Sequence, residues 1–418
     1  MRILVVVQRY GSEIAGGAEQ LIRGYSERLT RRGHEVEILT SCAFSYVDWA
    51  NAYPPGSETD GEILVHRLPV ERRRRNELFG PLDARVRGGG TNVPLSSVVT
   101  DAWSRMLGPD LPDLLPWLEL HVSHFDLVVF SGYMFPTTTV GLPHIAGAVP
   151  TVVQPVVHDE PALRLPTVRP LFEHAAGICA LTDEEAQLIQ RRFRPEGVMR
   201  VVGGGVEDAP PVDRTALDVV EDKLGIRDRR FIISVGRIEE GKGTSELVDY
   251  FEEYVTRRGS DLQLVLVGQN AANLRRKRNV VFADFVPDQI KWGLLADAEL
   301  LVQPSYFESF SLSLVEGWRQ ALPALVQGRC DVLAGQVGRS GGGLTYRNFA
   351  EFDTALDLLA VSADLRHHLG RAGQHYARRY DWDEVIDAFE LLADEAIRHW
   401  TYTDGRRQRA HEFQGAIP

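Results

Sequence analysis

The chain has 418 residues, 44% of them apolar and 25% charged, which at roughly 150 residues per domain is enough for two or three domains with cores of their own. Its 58 acidic and 46 basic side chains leave a net charge of −12, which argues against a general nucleic-acid binder, because neutralising phosphates needs a basic face. No apolar run reaches the roughly 18 residues of a membrane span.

In chain order, Ile3–Val7 is a continuous apolar run, as expected of a parallel strand buried on both faces. It is too short, and too soon interrupted by Gln8 and Arg9, to be a signal peptide. A glycine loop with Gly11, Gly16 and Gly17 follows, and Leu21, Ile22, Tyr25 and Leu29 then recur at helical spacing up to Gly33. Val36–Thr40, Leu127–Phe130, Val152–Val157, Gly177–Ala180, a helix over Asp183–Arg192 and Val201–Val202 continue the alternation. Gly203–Gly205, Pro210, Pro211 and a polar helix near Asp218–Leu224 interrupt it. A second series then runs through Phe231–Val235, a helix over Ser245–Tyr254, Leu262–Val267, Val280–Phe285 and a helix over Asp288–Ala296. Leu300–Gln303, a helix over Leu312–Gln320 and Ala324–Val326 complete it.

Two such series predict an α/β protein of two Rossmann-like, doubly wound parallel-sheet domains facing a cleft, with ligands beyond the carboxyl ends of the strands. The expected spans are residues 1–205, residues 206–385, and a C-terminal helix and tail over 386–418 that could pack back on the first domain. Cys42, Cys179 and Cys330 make neither a disulfide framework nor a zinc knuckle, so a reducing cytoplasm is expected. Only Lys223, Lys242, Lys277 and Lys291 are lysines, against 42 arginines. In such a chain an arginine run says little, and a lysine at a special spacing says more.

Gly236-Arg237-Ile238-Glu239-Glu240-Gly241-Lys242-Gly243-Thr244 follows a buried strand and precedes a helix. It is one residue short of a P-loop, since Gly243 stands where Ser or Thr would hold Mg²⁺, and no downstream strand ends in a Walker B Asp. Arg237 and Lys242 can still converge on an anion; the other reading is two solvated charges on a loop. Gly16 and Gly17 let a phosphate approach the N–H groups of a helix start, or form a merely permissive turn. They do not make G-x-G-x-x-G, and the second strand ends in Thr40-Ser41 with no acidic residue for a ribose, so no nicotinamide cofactor is expected.

The most informative stretch is Pro304 to Glu316. Glu308 lies in a loop and Glu316 in the following helix, and between them the N–H groups near Ser311 and Leu312 open that helix, a ready anion site. Together with Gly16-Gly17 and G-R-x4-K-G, it resembles the family-4 (group 1) retaining glycosyltransferases of the GT-B fold, from Met1 to about Trp382. Thr40-Ser41-Cys42-Ala43 with Tyr46, Trp49 and Tyr53, and the stretches Cys330–Gln336 and Arg339–Leu344, resemble a bacterial polysaccharide-biosynthesis branch.

The resemblance implies the following roles. Gly16 and Gly17 would meet the donor diphosphate, Arg237 and Lys242 would neutralise it, and the N–H groups at Ser311 and Leu312 would cap it. Glu316 would bind the ribose, the backbone around Val286 would flank the base, Glu308 would contact the sugar, and His158 would lie beside it. Without the resemblance, His158 reads as a satisfied histidine at a strand end. Three residues stand where the family favours glycine: Ser311, Ala321 (in G-x-P) and Asp284. Gly203-Gly204-Gly205-Val206-Glu207 replaces P-N-G-V-D.

Asp381-Trp382-Asp383 has the D-x-D form of a manganese site, yet it opens a terminal helix, where Asp is a good N-cap. No metal is expected, because Arg, Lys and helix-end dipoles serve in this family instead. Arg67, Arg72–Arg75, Arg85 and Arg87 put seven arginines in 21 residues. They read either as a solvated loop or as a site for a phosphorylated acceptor or an anionic leaflet, which would place the protein peripherally at the inner membrane face.

The function implied is transfer of a sugar from a UDP-, GDP- or dTDP-sugar to a glycan, lipid-linked or small-molecule hydroxyl, with retention. It needs no cofactor and no nucleic acid. A catalytically silent nucleotide-sugar-binding subunit and an epimerase on the same fold are the alternatives, and the base, sugar, acceptor and oligomeric state stay open.

Overall fold

The computed structural model describes residues 1–14, 16–88, 96–275 and 277–414, the side chains of 97, 240 and 404–414 excepted. The tail beyond Gln414, expected as a frayed end, lies outside the described residues. The chain forms two units, Met1–Gly205 with Trp382–Pro418, and Val206–Asp381.

The first unit carries an eight-stranded sheet: β1 (Arg2–Val6), β2 (Glu35–Ser41), β3 (Gly56–Asp60), β4 (Ile63–Leu68), β5 (Leu127–Ser131), β6 (Thr151–Gln154), β7 (Gly177–Ala180) and β8 (Val198–Val201). Their spatial order is β3-β4-β2-β1-β5-β6-β7-β8. All pairs are parallel except β3 with β4, an antiparallel hairpin at the edge. β1 shows why its run has no polar residue: Leu4 and Val6 enter one core cluster, and Ile3 and Val5 the other. The first face is covered by Phe79, Trp103, Leu118, Leu142 and Phe172. The second is covered by Ile22, Tyr25 and Leu29 of the Gly17–Arg31 helix and by Val385, Ile386, Phe389, Leu392 and Ala396 of the Trp382–Gln414 helix.

That last helix is seated by Trp382. A Cβ on Gly24 or on Gly205 would lie 2.2 Å from its indole, so neither glycine can carry a side chain while the ring stays in place. The Arg28 guanidinium stacks 4.2 Å over the same ring. Arg200 pairs with Glu395 at 2.6 Å, and the Trp400 indole N–H donates to the Ala146 carbonyl at 2.8 Å.

The second unit has an all-parallel, six-stranded sheet: β9 (Phe231–Val235), β10 (Gln263–Val267), β11 (Val280–Asp284), β12 (Leu301–Gln303), β13 (Ala324–Gln327) and β14 (Gly343–Tyr346). The order is β11-β10-β9-β12-β13-β14. Its core joins Ile232, Leu264, Leu266, Val302 and Leu325 of the strands to Leu247, Phe251, Phe352 and Leu356 of helices. The chain winds one way from β9 to β10 and the other way to β12, so the strand order reverses between β9 and β12. In sheets of this kind ligands collect at that switch point, beyond the carboxyl ends.

One strand is shorter than its apolar run suggests. β6 stops at Gln154, because Pro155 has no N–H to give the ladder and Val156 turns to φ 58°. His158 therefore stands in a loop beyond the carboxyl end of β6.

Candidate functional site

In the second unit, the segments following β9 and β12 leave neighbouring strands and touch. Gly243 has φ 69°, and a Cβ there would lie 2.3 Å from the Pro304 carbonyl oxygen, so only glycine lets the two loops meet. Across this contact Lys242 and Glu308, 66 residues apart in sequence, are joined: Lys242 Nζ donates to Glu308 Oε1 at 2.7 Å. The Tyr306 hydroxyl donates to Glu246 at 2.9 Å from the far side of the same junction. Arg237, exposed, lies 3.2 Å from Glu239. Val286 is half-buried on the segment after β11.

Ser311 is the N-cap of the Leu312–Arg319 helix, with φ 73° and ψ 79° and no side-chain cap bond. Its hydroxyl accepts from Gln303 Nε2 at 2.9 Å, which ties the helix start to the end of β12. Gln336 Nε2 holds the Phe310 carbonyl at 2.5 Å. Ser311, Ala321 (φ 55°) and Asp284 (φ 54°), which stand where glycine is favoured, all have left-handed backbone. The demand for glycine is thus a real feature of the backbone, and each of these side chains is held against a strain of roughly 1–2 kcal/mol.

Glu316 lies just past the first turn of that helix. Lys291, from the Asp288–Asp297 helix, donates to Glu316 Oε1 at 2.8 Å and lies 3.3 Å from Asp288. Burial alone would lower the Lys291 pKa, but the facing carboxylates of Glu316 and Asp288 outweigh it and raise it. Each acid of E-x7-E therefore carries a lysine.

In the first unit, Gly16 caps the Gly17–Arg31 helix with an extended backbone, φ −158°, open to any residue. What crowds that position is a neighbour: a Cβ would stand 2.2 Å from Glu19 Oε2, so a side chain there would have to displace that carboxylate. Glu19 and Arg9 form a buried pair, with Arg9 Nε and Gln8 Nε2 both donating to Glu19 Oε1 at 3.1 Å. This helix start is thus already faced by a carboxylate of its own.

His158 lies beyond β6, and its Nε2 is 3.1 Å from Glu160 Oε1. Glu160 is buried, accepts from the Tyr133 hydroxyl at 2.6 Å and pairs with Arg87 at 2.5 Å. Burial pulls its pKa upward, but His158, Arg87 and Tyr133 together hold it at about 2. Beneath the loop, the buried Glu185 accepts from the backbone N–H groups of Val157 and Leu181, each at 2.6 Å. Here burial wins, and the Glu185 pKa is pushed up to about 8.

The arginine run divides. Arg67 is buried against Glu58 and the Tyr10 carbonyl, Arg74 donates to the Leu107 carbonyl and lies 4.6 Å over Phe79, and Arg87 belongs to the Glu160 cluster. Arg72 pairs with Asp110, while Arg73, Arg75 and Arg85 are exposed. At Asp381-Trp382-Asp383, Asp381 accepts from Arg319 and Asp383 lies 3.4 Å from Arg32, so both carboxylates are matched by guanidinium groups. Lys291, Glu160, Glu185 and the Arg9–Glu19 pair were not singled out from the sequence. The rarity of lysine could have flagged Lys291, and Thr182-x-x-Glu185 has the spacing of a capping box.

Among the described residues, no helix is long and apolar enough to cross a membrane. Two family models match the chain: "Glycosyl transferase 4-like domain" over residues 16–205 and "Glycosyl transferases group 1" over residues 219–376. The D-inositol 3-phosphate glycosyltransferase of Nocardia farcinica is 25% identical, over 95% of this chain and 88% of its own length. A second such enzyme, from Catenulispora acidiphila, is 28% identical over 90% of each chain. Among solved structures, the E. coli trehalose-6-phosphate structure bound with UDP-2-fluoro glucose aligns with TM-score 0.70 and 12% identity, over 95% of this chain and 99% of that one. Anabaena HepE in complex with UDP and glucose aligns with TM-score 0.64 and 15% identity, over 94% and 100%. The chain belongs to the group 1, family-4 glycosyltransferases and has the GT-B fold.

Proposed function

We propose that the protein transfers a sugar from a nucleoside diphosphate sugar to a hydroxyl acceptor with retention at the anomeric carbon. The observation that carries this reading is the helix start at Ser311–Leu312. Its first turn holds no acidic residue, and it stands beside the Lys242–Glu308 contact at the β9/β12 switch point. By contrast, the helices that begin at Gly17, Asp183 and Thr244 carry Glu19, Asp183 with Glu184, and Glu246 in their first turns. A diphosphate is favoured where the positive end of a helix is not already answered by a carboxylate of the chain.

In the chemical step the bond from the anomeric carbon to the diphosphate oxygen breaks, and its electrons leave with the diphosphate. The acceptor hydroxyl attacks from the same face, and its proton passes to the departing phosphate oxygen. Lys242, Arg237 and the N–H groups at Ser311 and Leu312 stabilise the charge that develops on the leaving group, with no metal required. Glu308 orients the sugar and balances the positive charge at its reacting carbon, and His158 lies beside the sugar. Glu316 holds the ribose, and the backbone at Val286 flanks the base.

UDP-sugars are the donors to test first, as two structural neighbours hold UDP or a UDP-sugar, with GDP- and dTDP-sugars alongside. D-inositol 3-phosphate is the first acceptor to test, since the aligned relatives bear its name. Glycan and lipid-linked hydroxyls follow. The decisive assay incubates the protein with each donor, with and without acceptor, in EDTA. Nucleoside diphosphate released only with acceptor supports the proposal. Donor interconversion would instead mean an epimerase, and binding without turnover a silent subunit.

A further inference from the structure

We infer that Lys291 is a positioning residue of the nucleotide site, occupying one oxygen of Glu316 so that the other is presented to the ribose hydroxyls. The inference rests on the reading of Glu316 as the ribose ligand.

Three observations support it. First, the contact is direct and screened from water: Lys291 Nζ lies 2.8 Å from Glu316 Oε1, and the two side chains are only 16% and 15% exposed. A charge-assisted bond in so enclosed a setting fixes the rotamer of the carboxylate. Second, the ammonium is itself held from two sides. Asp288 lies 3.3 Å away, three residues earlier on the same helix, and the Trp292 ring centroid is 5.5 Å away. Asp288 is 79% exposed and therefore solvated, so Glu316 is the principal partner.

Third, the residue type matters. In a chain with 42 arginines, a guanidinium would be the common choice for pairing with a carboxylate. A guanidinium, however, presents parallel donors that clasp both carboxylate oxygens, leaving neither well placed for a ligand. An ammonium is a point charge that can satisfy one oxygen and leave Oε2 available. Lys242 treats Glu308 in the same way, donating to a single oxygen. A lysine used only for packing or net charge could be exchanged for arginine without loss; this one could not.

The test measures binding of UDP, 2′-deoxyUDP and 3′-deoxyUDP by calorimetry, with GDP and its deoxy analogues in parallel. It uses the full-length protein and its Lys291→Met, Lys291→Arg and Glu316→Gln variants. Wild type should prefer the ribonucleotide over at least one deoxy analogue. Lys291→Met should bind the ribonucleotide about tenfold more weakly and lose that preference. Lys291→Arg should keep the wild-type melting temperature and also lose the preference, an outcome that a purely structural lysine would not produce. If Lys291→Met fails to fold, the arginine variant decides alone. A full ribose preference in Lys291→Arg, with that preference abolished in Glu316→Gln, would overturn the role of Lys291 while leaving the ribose reading intact. A preference that survives Glu316→Gln, or wild-type protein that binds neither nucleotide, would overturn the ribose reading and this inference with it.

Discussion

Two helix starts in this protein look interchangeable in sequence and differ in substance. Gly16–Gly17 and Ser311–Leu312 both open a helix after a parallel strand, and both invite an anion. In the first, the helix supplies its own: Glu19, clamped by Arg9, occupies the space that a side chain at residue 16 would need. In the second, the first turn carries no acid, and the nearby carboxylates, Glu308 and Glu316, are each bound to a lysine. The glycines sit where the backbone is ordinary, and the serine where it is left-handed. Residue type at a helix start therefore reports what faces it as much as which dihedral angle it must adopt.

This contrast can be broken most sharply by removing Glu19. Glu19→Ala leaves Arg9 buried without its carboxylate and should destabilise the protein by about 3–5 kcal/mol, read as a lowered denaturant midpoint at unchanged m-value. A shift below about 1 kcal/mol would mean that the first helix start does not depend on its internal anion. On the other side, Lys242→Ala should lower turnover by about 10²–10³ with the melting temperature nearly unchanged. Wild-type turnover in that variant would remove the second helix start from the chemistry.

A third helix start sharpens the comparison through pH. Glu185 follows its cap Thr182 by three residues, as Glu19 follows Gly16, and its folded pKa of about 8 lies above the ordinary 4.5. A raised folded pKa means that the neutral carboxyl is the stabilised form. Its contribution is complete below about pH 4.5 and is lost as pH rises through about 8. Unfolding curves at several pH values should show that slope in the wild type and lack it in Glu185→Gln. Glu160 has the opposite sign. Its folded pKa of about 2 means that its contribution is present above about pH 4.5 and lost on acidification towards pH 2. The smallest expected effect is at Ala321, just past the end of the Leu312–Arg319 helix. Ala321→Gly relieves a left-handed alanine at the expense of a floppier unfolded chain, and should change stability by less than about 1 kcal/mol, towards stabilisation.

The two sheets were legible because parallel strands buried on both faces have no polar alternation to disguise them. Phe231–Val235 and Gly177–Ala180 coincide with their apolar runs to the residue. The hairpin Gly56–Asp60 with Ile63–Leu68 was not, since its outer strand, Gly-Ser-Glu-Thr-Asp, is polar and largely exposed at a sheet edge. Within the candidate site, the motif loops could be read as short-range spacings. The partners could not: Lys242 lies 66 residues before Glu308 and Lys291 25 before Glu316, and only the strand order brings them together. The arginine run could not be divided into inward and outward members for the same reason. Charge is visible in a sequence, whereas the inward turn of Arg67, Arg74 and Arg87 is a tertiary fact.

Trp382 has a consequence for how the chain is made. The unit that begins at Met1 is finished by a helix that begins at residue 382, so a ribosome emitting this protein delivers everything needed for the Val206–Asp381 unit before the last piece of the first one. Until then the sheet face bearing Ile3, Val5, Val129 and Val152 lacks the cover of Val385, Phe389 and Leu392, and the notch between Gly24 and Gly205 stands empty. A chain released early at Asp381 would carry a completed second unit and a sticky, unfinished first one. Nascent-chain proteolysis should show the internal unit becoming resistant ahead of the amino-terminal one.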